Sequence, residues 1–162
     1  MATSTALFTW CIVRDADPRA YELMKRHYSF NSYRDGRRQD PSNHNRKHFV
    51  GPGEKMVLLT PQCDALFVWR RFIDDSGQTG VNCAVFHNES ATLASTLILE
   101  AEQLAWERWP GIRLYTYVDA TAIRSTNPGF CFQIAGWHKC GHTKARGLLI
   151  LEKIPIDSAR WR

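Results

Sequence analysis

The most regular pattern in this chain is an apolar repeat at helical spacing over residues 93–109, followed directly by a strand-like segment. The apolar residues recur every three or four positions, which is typical of an amphipathic helix. Residues 110–111 (Pro-Gly) end this helix, and residues 113–118 (RLYTYV) alternate like a strand. Because residues 81–86 predict another strand before the helix, the order strand, helix, strand predicts a parallel crossover within one sheet.

The remaining segments predict further strands and helices around this crossover. Asp17 and Pro18 begin a helix as its N-cap and first residue, and Asn127 begins a short helix in the same way. The predicted elements are strand 7–13, helix 17–29, an antiparallel meander of strands 56–60, 65–72 and 81–86, helix 93–109, strand 113–118, helix 127–135 and strand 148–152. We therefore expect an α/β (α+β) fold: a mixed, mostly antiparallel central sheet with one parallel pair and flanking helices.

Length and composition limit the class of protein. A chain of 162 residues is expected to form one domain, residues 1–162, with a well-buried core. No apolar segment approaches the ~20 residues that span a bilayer, and residues 1–10 lack the features of a signal peptide, so we expect a cytoplasmic protein. The five cysteines show no CxxC spacing, which favours reduced thiols over a disulfide framework.

The positive charge is concentrated in one segment. The whole chain has a net charge of +5, and residues 31–48 alone carry +3. The basic residues of this segment are Arg34, Arg37, Arg38, Arg46 and Lys47. A long polar loop inside a compact domain is either functional or simply solvated. We expect this loop to contact phosphates if the protein binds DNA, with a solvated mobile loop as the alternative.

The order of elements after the crossover resembles that of the GNAT acyltransferases, in which a strand is followed by an asparagine, a short helix and a glycine with an aromatic residue. Five segments more narrowly resemble the Mom-type DNA modification proteins of bacteriophages and prophages. These segments are 26–29 (RHYS), 49–53 (FVGPG), 86–89 (FHNE), 113–119 (RLYTYVD) and 127–132 (NPGFCF). The resemblance implies a transferase that places a carbamoylmethyl or related acyl-type group on the N6 amine of adenine in double-stranded DNA. Such a modification protects phage DNA from restriction in the host cytoplasm.

One loop departs from the GNAT pattern. Acetyl-CoA-binding members have a glycine-containing loop before the main helix, whereas residues 87–92 read HNESAT here. Glycines allow backbone N–H groups to approach a pyrophosphate, and Glu89 would repel that anion. The group donor is therefore left unidentified, with an acyl-CoA disfavoured.

Modification of an exocyclic amine calls for a proton acceptor. The family resemblance and the expected fold together imply three candidates near the sheet centre, which we rank as His27, Glu89 and Asp119. Tyr28 is expected beside His27, where its phenol could hydrogen-bond or stack on a base. The alternative for His27 is an ordinary histidine at a helix C-terminus, where the positive form is favourable in any protein.

Residues around the main helix are expected to face the group donor. Asn88, Ser90 and Ser95 lie at or near the start of this helix, and Asn127 follows the crossover strand. Each has a structural alternative, since Ser90 or Thr92 could cap the main helix and Asn127 the short one.

Tyr115, Tyr117 and Asp119 alternate, so they share one face of the crossover strand. Such a wall suits a base flipped out of a duplex, although tyrosines also cover sheets without any such role. Arg124, in the following loop, could bind a phosphate of DNA or donor. His138, Cys140 and His142 also alternate, but no fourth ligand is indicated, so we predict no metal site.

Two other functions remain open from the sequence. One is a conventional acetyl-CoA-dependent N-acetyltransferase that acts on a small amine or a protein. The other is a noncatalytic DNA-binding protein that uses this fold as a scaffold. The oligomeric state is not assigned.

Overall fold

A single seven-stranded sheet organises the molecule. The computed structural model describes residues 9–30, 48–73, 75–123 and 126–156. In chain order the elements are β1 Cys11–Val13, α1 Pro18–Arg26, β2 Glu54–Leu59, β3 Ala65–Arg71, β4 Val81–Asn88, α2 Ala94–Arg108, β5 Leu114–Val118, α3 Phe130–Ile134, β6 His138–His142 and β7 Leu149–Lys153. The strand order is β1-β2-β3-β4-β5-β7-β6, and β4 with β5 is the parallel pair among antiparallel neighbours. The expected α+β sheet and its crossover are thus confirmed.

The two faces of the sheet carry separate cores. α2 and α3 pack on one face, where Phe67, Trp69 and Leu114 are fully buried. α1 packs on the other face over β2, β3 and β4, where Leu23 and Val68 are fully buried. Because residues along a strand point alternately to the two faces, and both faces are covered, the meander strands contain unbroken apolar runs at residues 56–59, 65–69 and 83–86.

Most predicted elements were confirmed, and the exceptions lie in the last third of the chain. β6 was not predicted as a strand, because its sequence HKCGH has no apolar residues and four of its five residues are exposed at the sheet edge. The short helix begins at Phe130, with Gly129 as its N-cap in the left-handed conformation. A Cβ at Gly129 would lie 2.7 Å from a Leu151 methyl carbon, so the helix approaches β7 too closely for a side chain there.

The predicted role of Asn127 as a helix cap was therefore wrong. Its amide instead pairs with the amide of Gln133 at 3.2 and 3.4 Å, across the turn that precedes α3. Capping of α2 by Ser90 or Thr92 was also wrong, because the N-cap is Leu93, whose side chain makes no capping hydrogen bond. By contrast, the carboxylate of Asp17 accepts the backbone N–H of Arg19 and caps α1 as predicted.

The parallel strands separate shortly after they meet. Only residues 81–83 of β4 pair with β5, although β4 continues to Asn88. Val85 and Cys83 pair with consecutive residues of β3, so Ala84 is an extra residue that forms a bulge. Bulges bend the strand that carries them. Where the two strands begin to separate, the hydroxyl of Thr116 on β5 donates a hydrogen bond to the carbonyl of Cys83 on β4 at 3.0 Å.

Candidate functional site

A cleft of about 350 Å³ occupies the gap between the separated strands. We call it the β4–β5 cleft. One wall is the bulged part of β4 from Ala84 to Phe86, and the other is Tyr117 with Val118 of β5. The start of α3 and the residues that follow α1 complete the lining. A bulge and a short parallel pairing thus create an opening in the middle of an otherwise continuous sheet.

Aromatic rings and a few polar groups line this cleft. The aromatic lining residues are His27, Tyr28, Phe86, Tyr117, Phe130 and Phe132. Thr116 and Asn127 supply polar groups, and Cys83 and Cys131 supply thiols. Mostly apolar and aromatic walls with a few polar atoms are typical of a small-molecule binding site.

His27 is held in one tautomer. Its Nδ1 accepts the backbone N–H of Ser29 at 3.2 Å and lies 2.6 Å from the Ser29 hydroxyl, so the ring proton resides on Nε2. That N–H donates to the backbone carbonyl of Phe86. Burial, with a smaller effect of the neighbouring His87, lowers the pKa of His27 to about 4 despite this carbonyl. His27 is therefore a neutral ring at pH 7, and both of its nitrogens already have partners.

Tyr28 lies over His27 at the mouth of the cleft. The two ring centroids are 4.4 Å apart, and 45% of the Tyr28 surface remains exposed. Burial raises the pKa of the Tyr28 phenol, although a backbone hydrogen bond from Asp119 opposes this effect. Tyr28 is thus a protonated phenol that is free to donate a hydrogen bond, on a ring that His27 orients.

Glu89 lies near these residues but is held by other groups. Its carboxylate accepts two hydrogen bonds from the Arg26 guanidinium, at 2.6 and 3.1 Å, and one from the ring of His87 at 2.6 Å. These contacts lower the pKa of Glu89 to about 2, and the hydrogen bonding from Arg26 has the largest effect. We call the group Arg26, His27, His87 and Glu89 the α1–β4 corner. In it Glu89 ties the end of α1 to the end of β4, and it is a very weak proton acceptor.

The expected wall on β5 is present only in part. Tyr115 and Tyr117 share a face, with ring centroids 5.6 Å apart, as the alternation predicted. However, Tyr115 is fully buried, so Tyr117 alone reaches the cleft. The Asp119 carboxylate turns into the following turn, where it accepts the Thr121 backbone N–H and hydroxyl at 3.0 and 2.6 Å, and these bonds lower its pKa.

The residues expected at the donor mostly bond to one another. The Asn88 carbonyl oxygen accepts the backbone N–H and the hydroxyl of Ser90, and the Asn88 amide donates to the Thr92 carbonyl. Ser95 is buried on α2. Only Asn127, which also accepts a hydrogen bond from Lys139 at 3.3 Å, lines the cleft.

Three backbone N–H groups of the loop before α2 already have partners within the protein. The backbone N–H groups of residues 89, 90 and 92 donate to Asp64, Asn88 and Ser90, so they are used within the protein. The charge of Glu89, by contrast, is offset by Arg26, so repulsion by Glu89 is a weaker objection than its sequence position suggested. These three N–H groups are therefore not available to a pyrophosphate in this conformation.

Several predicted residues cannot be placed. Arg124 and the basic residues Arg34, Arg37, Arg38, Arg46 and Lys47 lie outside the described residues. His138 and His142 do not share a face as expected, because β6 is irregular between Lys139 and Gly141 and the two histidines pair with Glu152 and Leu149, which point to opposite faces of the sheet. Across the described ranges, no group of three or more histidine, cysteine, aspartate or glutamate side chains is arranged to hold a metal ion.

Sequence reasoning did not single out the cleft residues Ala84, Phe86 and Cys131. Phe86 and Cys131 resemble ordinary core residues in sequence, and a bulge at Ala84 leaves no mark in the apolar pattern. These residues line the cleft because β4 and β5 separate, and this separation depends on pairing between distant segments that the sequence alone did not reveal.

Comparison with known proteins adds no identification. No family model matches this chain, and no curated protein matches it. Of the helices in the described ranges, none has the length and apolar character needed to cross a membrane.

Proposed function

We propose that this protein is a GNAT-type transferase that modifies the N6 amine of adenine in DNA, with the adenine flipped into the β4–β5 cleft. The observation that carries the proposal is the aromatic cleft between parted parallel strands at the centre of the sheet. An enzyme that acts on a base must take it out of the stack and hold it between flat side chains. The sequence resemblance to Mom-type proteins and the net charge of +5 support DNA as the substrate.

The cleft residues indicate how the base would be held. Tyr28 and Tyr117 supply aromatic rings on which the base would stack, while Thr116 and Asn127 supply polar atoms that would contact the base edge. Stacking on an aromatic ring contributes about 1–3 kcal/mol per base. Such a contribution helps to offset the cost of unstacking and unpairing the target nucleotide.

The reaction is the transfer of a carbamoylmethyl or related acyl-type group from an activated donor. The N6 nitrogen attacks the electrophilic carbon of the donor, the bond from this carbon to the leaving group breaks, and the electron pair departs with the leaving group. Once the nitrogen has formed its new bond it is strongly acidic, so water at the exposed mouth of the cleft accepts the proton. The protonated Tyr28 phenol donates a hydrogen bond to the negative charge that develops on the donor.

This assignment changes the roles expected from the sequence. His27 orients Tyr28 rather than accepting a proton, and Glu89 braces the α1–β4 corner. The thiols of Cys83 and Cys131 stay protonated, because burial raises the pKa of each, so a covalent thioester is not part of the reaction. Asn88 and Ser90 shape the loop before α2.

Nucleoside analysis of cells that produce the protein tests this proposal. DNA is digested, and the nucleosides are separated and weighed by mass spectrometry. Wild type should yield an adenosine derivative heavier by the transferred group. Ala84→Phe places a ring in the cleft from an exposed position and should abolish this product, whereas Gln103→Phe adds the same ring to the exposed face of α2 and should not.

Thermal unfolding of the purified variants shows whether they are folded. An unaltered nucleoside profile with folded wild type would contradict the proposal. If acetyl-CoA then stabilised the protein, the result would favour the N-acetyltransferase instead. Equal product from Ala84→Phe and wild type would show that the cleft is not the site of reaction.

A further inference from the structure

A second cavity adjoins the β4–β5 cleft and has a volume of about 570 Å³. Tyr117 and Ile150 contribute to its lining from β5 and β7, on the sheet face opposite α2. One side is the connection between β3 and β4, and the other is the turn between β6 and β7, which carries Lys144 and Arg146. We call this cavity the basic groove. Because Tyr117 lines both cavities, the groove and the cleft meet at one side chain.

Arg146 lies at the junction between the two. Its guanidinium is 3.9 Å from the Asp119 carboxylate, beyond hydrogen-bonding distance, and Asp119 is already bonded to Thr121. Burial raises the pKa of the nearby Tyr28 phenol, and the positive charge of Arg146 is one of the influences that oppose this. Arg146 thus lines the groove and lies close enough to the cleft for its charge to act on Tyr28.

Two cations of the β6–β7 turn, Lys144 and Arg146, line the groove. Lys144 is exposed and forms no ion pair within the part of the chain that the structure describes. Asp75 is the acidic side chain of the lining. Asp119 faces Arg146 at 3.9 Å, at the outer limit of an ion pair, so Arg146 is weakly paired and Lys144 is the more accessible cation for an anion.

The position of these cations matches the shape of a flipped nucleotide. When a base enters a pocket, its phosphates stay outside at the mouth, joined to the backbone that runs along the protein surface. We propose that the basic groove binds the phosphodiester backbone of the DNA strand whose base occupies the β4–β5 cleft, with Arg146 on the phosphate next to the base and Lys144 farther along. This inference rests on the proposed function, and it adds the path of the strand.

Salt-dependent binding of a short DNA duplex to the purified protein tests the groove directly. Fluorescence anisotropy is measured over about 50 to 200 mM salt, where every phosphate contact contributes close to one unit of slope to the salt dependence of affinity. Lys144→Gln and Arg146→Gln should each reduce this slope by about one unit. Arg108→Gln is the matched control, because it removes an exposed cation on α2, the helix of the other sheet face, and should leave the slope unchanged.

Slopes equal to wild type in both groove variants would overturn the inference. Displacement of the duplex by inorganic pyrophosphate at matched phosphate concentration would also overturn it, since the groove would then serve a small phosphorylated molecule. Failure of the groove is distinct from failure of the proposed function. Modified nucleosides with unchanged slopes would reject the groove alone, whereas reduced slopes without any modified nucleoside would support the groove and reject the chemistry.

Discussion

Two carboxylates in this protein have similar partners and opposite properties. Glu89, in the α1–β4 corner, lies between Arg26 and the ring of His87. Glu102, on α2, lies between Lys153 at 2.7 Å and the indole N–H of Trp137 at 2.5 Å. The contacts of Glu89 lower its pKa to about 2, whereas burial raises the pKa of Glu102 despite both partners. Solvent exposure, rather than the number of partners, separates the two sites, since Glu102 is only 2% exposed.

The comparison explains why neither carboxylate is assigned as the base. Glu89 is near the cleft but is held ionised by a guanidinium, so it accepts a proton poorly. Glu102 lies in the core with Trp137 and does not line the cleft. A proton acceptor must combine a suitable pKa with access to substrate. Each of these groups meets one requirement at most.

Removal of the cation beside Glu102 should have the largest effect. Lys153→Met leaves a buried carboxylate without its counter-charge, which costs about 3–5 kcal/mol of unfolding free energy in comparable cases. Denaturant unfolding measures this loss. The deficit should shrink as the pH falls, because a protonated Glu102 no longer needs the cation.

The double variant Lys153→Met with Glu102→Gln is the control for that experiment. It removes both charges and keeps a side chain that can accept from Trp137, so most of the lost stability should return. If the single variant is as stable as the double variant, Glu102 is not a buried charge and the contrast with Glu89 fails.

The α1–β4 corner should produce the next largest effect, through pH. The pKa of His27 is about 4 in the folded protein against 6.5 in its ordinary state. Between these values the unfolded chain binds the proton first, so the unfolding free energy falls as the pH drops, by roughly 3 kcal/mol in total. Urea unfolding at several pH values should show this slope in wild type and its loss in His27→Gln.

Exposed His142 provides the matched control for His27. The slope caused by His27 should survive in His142→Gln. A wild-type stability that does not change between pH 6.5 and pH 4 would mean that His27 is not buried as a neutral ring. Its assignment as the residue that orients Tyr28 would then have to be withdrawn.

Local patterns predicted most of the fold, because each pattern is satisfied within a few residues. The Asp17 cap of α1, the meander and the amphipathic α2 all appear where spacing and turn residues placed them. β6 was missed because an exposed edge strand has no apolar alternation to detect. The helix cap was wrongly assigned to Asn127 because the true cap, Gly129, is required by close packing against Leu151 on β7, a residue 22 positions away.

The candidate site was predicted less well than the fold, for a related reason. The sequence analysis predicted that His27 lies near the sheet centre with Tyr28 beside it, and both residues line the cleft. Whether a side chain is available there depends on contacts between distant residues. Arg26 reaches Glu89 across 63 positions, and the Tyr115 ring is buried by packing that no short segment reveals.

The indole of Trp137 should contribute less than Lys153 does. Trp137→Phe keeps an aromatic ring in the core and removes the N–H that donates to Glu102. Loss of a hydrogen bond to a buried charged group costs about 1.5–3 kcal/mol. The matched control is Trp106→Phe, whose indole N–H donates to the neutral carbonyl of Ile112 at 2.9 Å and should cost less. Equal losses in the two variants would argue against an ionised Glu102.

The smallest effect is expected at Arg26. Arg26→Gln removes an exposed ion pair with Glu89, and exposed pairs contribute little to the free energy of unfolding. Its contribution is present above pH 4.5, the ordinary pKa of Glu89, and is lost as the pH falls toward 2, so wild type and variant should converge in acid. Denaturant unfolding at neutral pH and at low pH measures both points.

Variants of Arg26 and Glu89 also distinguish the two possible roles of Glu89. If Glu89 braces the corner, Glu89→Gln should retain most of the nucleoside modification, because the amide oxygen can still accept from Arg26. If Glu89 were the proton acceptor, the same change would abolish modification, and Arg26→Gln would raise the pKa of Glu89 and shift the pH dependence of the reaction. The contrast between the corner and the core therefore predicts a small stability loss at Arg26, little change in product from Glu89→Gln, and no shift of the pH profile.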